Sequence, residues 1–154
     1  MSIRNDGEFK TALHALDPVQ QRRLAARFVQ RVLDLCGDVR VRASVEAALH
    51  EDLPEAEREV LCQAAKAARV ESFTQCGHKA DWSAQAGHFV ATAALNCVQA
   101  PTTGADIAWD AAMHARMART CESVAKGVGT ATREAEAQYA MLDELMHSRS
   151  RGTL

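Results

Sequence analysis

Histidine and cysteine have the widest chemical reach in this chain, with six of one and five of the other among 154 residues. A zinc centre takes about four nitrogen or sulfur ligands in closely spaced pairs. Cys76 and His78, either side of Gly77, make one close pair. His88 and Cys97 follow, nine positions apart and on different helix faces, so the set lacks ligand spacing. His114 and Cys121 are seven apart and share a helix face. Seven residues also mean about 10 Å of axial rise, too far for a Cys–His nucleophile pair, which leaves them as packing residues unless each meets another helix. Glu144 and His147 form a Glu-x-x-His, but a di-iron carboxylate bundle needs two such motifs and two further glutamates. Gly127-Val128-Gly129 has no strand before it and lacks the rest of a phosphate-loop pattern. No metal and no cofactor is expected.

Charge offers a denser pattern. Asp38-x-Arg40-x-Arg42 stands at a helix start, with Glu46 placed as the i, i+4 partner of Arg42. Two readings stay open: an exposed helix face, or a fork of guanidinium groups offered to a partner or turned against a carboxylate on another helix. His88 follows Gly87 in the least polar stretch, beside Phe89 and Val90. A glycine inside a helix costs about 1 kcal/mol against alanine, and such a position often marks close approach. The pattern predicts a core histidine satisfied by one hydrogen bond, next to a tight helix crossing.

The elements that must hold these residues all read as helices. The chain carries 30 alanines, three prolines and few aromatic residues, and alanine is the best helix former. Phe9, Leu13 and Leu16 mark a first helix. Asp17-Pro18 is a cap followed by proline at the first helical position. Leu24, Phe28, Val32 and Leu35 then form a stripe expected to run until Gly37. Asp38 caps a third helix that buries Val41, Val45, Ala48 and Leu49. After Asp52-Leu53-Pro54, a fourth helix turns Leu61, Ala64, Ala65, Ala68 and Phe73 inward until Gly77. A fifth runs from Asp81 or Ser83 to about Gln99 and is expected at the centre of the bundle. Thr102 or Thr103 caps a last pattern of about 45 residues, or about 67 Å as one straight helix. A domain of this length is only about 40 Å across, so the pattern must break, most simply at Lys126-Gly127-Val128-Gly129. The expectation is one all-α domain over 1–148, a bundle of five to seven helices, with a frayed tail over 149–154.

A net charge of −2 and a pI near 6.3 supply no basic footprint for nucleic acid. The uncharged run from Ser83 to Thr103 holds Gln85, Asn96, Gln99 and Pro101, which suits a core helix and not a membrane span. With no apolar leader at Met1–Asp6 and scattered cysteines, the expected compartment is the cytoplasm.

Two stretches then resemble a known pattern. Asp38-Val39-Arg40-Val41-Arg42-Ala43-Ser44-Val45-Glu46-Ala47-Ala48 is similar to a D-x-R-P-R-x-A-I-E-A-A opening, with Val41 at the proline position. Ala86-Gly87-His88-Phe89-Val90-Ala91-Thr92-Ala93 is similar to A-G-H-A-V-A-T-A, with Asn96 near the place of a second histidine. The alanine-rich Ala64-Ala65-Lys66-Ala67-Ala68-Arg69 lies between them. This order, over about residues 28–118, resembles a family of small all-helical immunity proteins from bacterial polymorphic toxin systems. The resemblance implies a protein without catalytic activity that binds and blocks a toxin made by the same cell, and it carries over to Arg40, Arg42, Glu46, Gly87 and His88. Two other readings remain: an enzyme or a metal or redox sensor using His88, Cys97, His114 and Cys121, and a regulatory or scaffolding bundle that forms a homodimer through its last helix.

Overall fold

A computed structural model of the chain describes residues 2–75, 81–102, 105–127 and 133–152, with Gln75 and residues 149–152 in backbone only. Every regular element in them is helical, and no strand occurs among the described residues. The order is α1 (Asp6–His14), α2 (Pro18–Gln30), a 3-10 turn at Leu33–Leu35, α3 (Val39–Ala48), α4 (Glu55–Gln75), α5 (Trp82–Val98), α6 (Ile107–Ala125) and α7 (Glu134–Gly152). No helix among them is long and apolar enough to cross a membrane.

Side-chain caps set several helix starts. Asn5 accepts from the Glu8 amide at 2.9 Å. Asp17 and Gln20 form a reciprocal capping box behind Pro18, which satisfies two otherwise orphaned amides. Asp38 caps α3 and Asp81 caps α5. The start of α6 departs from expectation. It begins at Ile107 after Asp106, whose carboxylate makes no cap bond and instead meets the His14 ring at 2.9 Å. Thr103 lies outside the described residues.

α2 ends at Gln30, seven residues before Gly37. Beyond it the chain tightens: the amides of Val32, Leu35 and Cys36 bond carbonyls three residues back. Val32 and Leu33 remain buried through this tightening, so the apolar stripe outlasts the helix that begins it. The long final pattern does break. Gly127 adopts φ of 70°, just past the C-cap Lys126, a left-handed conformation that favours glycine. The rest of that break, residues 128–132, lies outside the described residues. The backbone of α7 stays helical to Gly152, beyond the expected limit at 148.

α5 is central, packing against α2, α3, α4, α6 and the 3-10 turn. Nine of its side chains are buried, against six on the longer α6. Much of the α5–α6 seam is alanine, with Ala93, Ala94, Ala111, Ala112, Ala115 and Ala118 at most 0% exposed, and such small side chains let the helices approach. Larger volume comes from elsewhere. Phe9 packs its ring 5.8 Å from Phe28, 6.1 Å from Trp109 and 5.2 Å from Tyr139. Burying such a ring is worth about 2–3 kcal/mol. Two buried polar side chains are satisfied across helices: Arg58 donates to the Val98 carbonyl at 2.8 Å, and Gln138 donates to the Ala112 carbonyl at 3.0 Å.

Two inward assignments on α4 do not hold. Phe73 is 68% exposed, and Ala64 is only half-buried. The inward line of this helix runs through Arg58, Cys62, Ala65 and Ala68, and Phe73 lies one step round the helix from Ser72, which continues that line.

Candidate functional site

The two sequence motifs meet on consecutive residues near the end of α4. From α3, the Arg40 guanidinium holds Asp38 at 3.0 and 2.7 Å, and reaches Glu71 at 2.5 and 3.2 Å. From α5, His88 Nδ1 lies 2.9 Å from Ser72 Oγ. Arg40 is therefore a brace between α3 and α4, turned against a carboxylate on another helix. Its hydrogen bonds hold the carboxyls of Asp38 and Glu71 below their usual range, and those carboxylates push the guanidinium further up. Arg42 and Glu46 are exposed. No ion pair joins them among the described residues, contrary to the i, i+4 expectation. On an exposed face the weak Coulomb gain barely covers the entropy of holding two long side chains.

Gly87 serves a close approach, but not between two helices. A Cβ there would stand 3.3 Å from the Leu35 carbonyl oxygen, so the contact is between α5 and the 3-10 turn. His88 is half-buried, not a core residue. The Ser72 hydroxyl donates to the Arg69 carbonyl at 2.8 Å, which makes His88 Nδ1–H the donor to Ser72. Burial holds the His88 imidazole below the ordinary histidine value. A cavity of about 390 Å³ opens at this junction, lined by Cys36, Asp38, Glu71, Ser72, Ser83 and Gly87 among others. Burial pushes the Cys36 thiol up, so it is no thiolate at neutral pH, and both carboxylates are already engaged by Arg40. The junction has the chemistry of a structural clasp.

A second arrangement lies on the polar line of α5, half-buried except at Asn96, which is buried. Gln85, His88, Thr92, Asn96 and Gln99 recur every three or four residues along the least polar helix. α4 and α6 each pack on α5 and stand to either side of this row. His114 of α6 bonds Asn96 at 2.7 Å through Nδ1, and Asn96 donates to Gln99 at 3.2 Å. The His114 ring stacks on Phe89, centroids 6.3 Å apart, and burial holds this imidazole below its ordinary value too. Phe73 and Phe89 flank the His88 ring at 5.6 and 6.0 Å. At the far end of the row a recess of about 410 Å³ is lined by Lys66, Gln99 and Asp110 among others. Burial and the neighbouring Asp106 push the Asp110 carboxyl up. Phe73, packed against His88 at the near end, is 68% exposed, and Val70 on α4 and Met117 on α6 are 56 and 46% exposed. Two neutral imidazoles, three amides and a hydroxyl thus line the shallow groove where α4 and α6 flank α5, beside exposed apolar residues. Such a set can donate and accept hydrogen bonds without charge.

Sequence reasoning found His88 and His114 but missed Ser72, Glu71 and the row as a unit. The signal was present: apart from Ser83, the uncharged polar residues of a long apolar helix share one face.

The cysteine–histidine set does not converge. Nine residues place Cys97 about half a turn from His88, on the buried side of α5. Its thiol is pushed up to about 12 by burial and lines a different recess, with Pro18 and Arg22. Cys121 is buried on α6. Cys76 and His78 lie outside the described residues. Glu144 and His147 are exposed, the ring bonding the Asp143 carbonyl at 2.8 Å. Among the described residues no three His, Cys, Asp or Glu side chains are grouped to hold a metal ion. No family model matches the chain, nor does any curated protein or solved structure.

Proposed function

We propose that the chain is a helical binding protein whose α4–α5–α6 face docks a protein partner in the cytoplasm. In its most concrete form it is an immunity protein that neutralises a cognate toxin. The observation that carries this reading is the exposed Val70, Phe73 and Met117 at the rim of a groove whose floor is already tied by hydrogen bonds. Single exposed apolar residues are ordinary on a protein surface. Here they stand on the two helices that flank a preformed polar row, the combination of apolar anchor and fixed polar groups that protein interfaces use. A floor ordered before binding also lowers the entropy cost of association. Arg40 contributes to this reading as the brace behind the face, and Arg42 and Glu46 remain available on the exposed side of α3.

Co-expression with the products of adjacent reading frames tests it. A toxic neighbour is expected to be tolerated in the presence of this chain and to co-elute with it on gel filtration. Phe73→Asp is expected to abolish both effects while the melting temperature stays within about 2 °C. No tolerance and no complex with any neighbour would end the immunity reading.

A further inference from the structure

We infer that the groove between α4 and α6 seats an acidic partner segment tipped by an apolar side chain. This deepens the docking reading above and rests on it. The charge on the groove wall carries the inference. Lys66 and Arg69 lie one turn apart on α4, both exposed. Neither forms an ion pair among the described residues. Five other arginines are occupied: Arg31 holds Glu134, Arg40 holds Asp38 and Glu71, Arg58 holds Glu55, Arg116 holds Asp6, and Arg119 holds Asp34 and Glu122, while Arg23 and Arg27 on α2 line a separate recess with Leu24 and Leu49. On α4 the two open cations stand in the same stretch of helix as the exposed Val70 and Phe73.

The other charges facing the groove do not cancel them. Glu59 is engaged by Arg58 at 3.4 Å and by Gln63 at 2.9 Å. Asp110 lines the recess at the far end together with Lys66, one carboxylate against the two cations. His88 and His114 are neutral because burial disfavours their charged form. The two ends of the groove therefore ask for different things. Phe73, Val70 and Met117 offer area to one apolar side chain. Lys66 and Arg69 offer carboxylates their counter-charges. The half-buried Gln99 and Thr92 can meet the backbone between. A basic segment would meet repulsion on the α4 wall and find one carboxylate, Asp110, in the far recess.

Three synthetic ten-residue peptides test this, sharing one Leu-Phe pair and carrying Glu, Gln or Lys at the flanking positions. Each is titrated into the ¹⁵N-labelled full chain. The Glu peptide is expected to shift amides in 66–73, 85–99 and 110–117, and to bind about ten-fold more tightly than the Gln peptide, as two modest charge pairs allow. The Lys peptide is expected to be the weakest. Lys66→Glu with Arg69→Glu, checked for an unchanged melting temperature, is expected to transfer the preference to the Lys peptide. Equal affinities, binding by none of the three, or shifts confined to another face would overturn the inference. The two readings fail separately. Selective peptide binding with no toxin among the neighbours ends the immunity reading alone. A toxin complex indifferent to the double charge reversal ends the acidic-segment reading alone.

Discussion

The side where α1 and α7 close over α6 and the side where α4 and α6 part over α5 use the same kinds of residue to opposite ends. On the first, Arg116 grips Asp6 at 3.1 and 2.9 Å and Gln138 at 2.8 Å, its guanidinium lies over Phe9 and Tyr139, and Tyr139 donates to Asp6 at 2.6 Å. The aromatic residue at its heart, Phe9, is fully buried. On the second, the cations Lys66 and Arg69 lack carboxylate partners among the described residues, and the outermost ring, Phe73, is turned to solvent. One region spends its aromatic and charged groups on cohesion, while the other keeps them accessible. Exposed rings and open charges add little to stability, so their gathering on one face is informative about binding.

The widest gap between the two regions lies in their aromatic residues. Phe9→Ala is expected to cost about 3–5 kcal/mol, through lost transfer energy and a residual cavity, whereas Phe73→Ala stays within about 0.5 kcal/mol. Urea unfolding measures both, and similar losses would erase the distinction. A smaller effect is expected where the groove's helix meets the rest of the fold. Gly87→Ala gains helix propensity, but its Cβ would press on the Leu35 carbonyl of a turn held on both sides. The net loss is expected to be about 1 kcal/mol, and a gain would show that the turn can yield.

The smallest effect depends on pH. Burial holds His88 and His114 below the ordinary value of 6.5, so near and below that pH the unfolded chain binds protons that the folded chain resists. Their contribution is complete above pH 6.5 and drains away as pH falls toward the depressed folded values. Asp6, Asp38 and Glu71 are held down by arginine hydrogen bonds, and their contribution is lost in a lower, more acidic window. Melting temperature followed from about pH 7.5 to about pH 5, roughly one unit above and one and a half units below the ordinary value, is expected to decline. His88→Gln with His114→Gln is expected to flatten that decline, and an unchanged slope would place its origin outside the groove.

Local signals in the sequence were legible because their physics is local. Asp17-Pro18, Asp38 and Asp81 mark helix starts with groups a few residues away, and Gly127 marks the break before α7 through its own backbone. The end of α2 was not legible, because burial of Val32 and Leu33 continues through a tighter turn and preserves the apolar pattern. Phe73 misled because an aromatic residue in an alanine-rich helix has no neighbour of similar size to fix the inward line. The partners at the candidate site were hidden by distance along the chain: Arg40 meets Glu71 31 positions away, and Asn96 meets His114 18 positions away. Periodicity can say that each faces a neighbour but not which one.

The helix that floors the groove is also the helix on which the core is built. Ala86, Val90, Ala94 and Val98 of α5 lie in the interior, while the half-buried His88 and Thr92 lie along the groove two residues away. Occupancy of the groove is thereby linked to the folding equilibrium of the entire bundle. A ligand present at a hundred times its Kd, and bound only by the folded chain, adds about 2.7 kcal/mol to the unfolding free energy. That increment would slow solvent exchange of the α5 backbone amides, which open only when the surrounding helices do. Hydrogen exchange in the interior can therefore report binding at the surface.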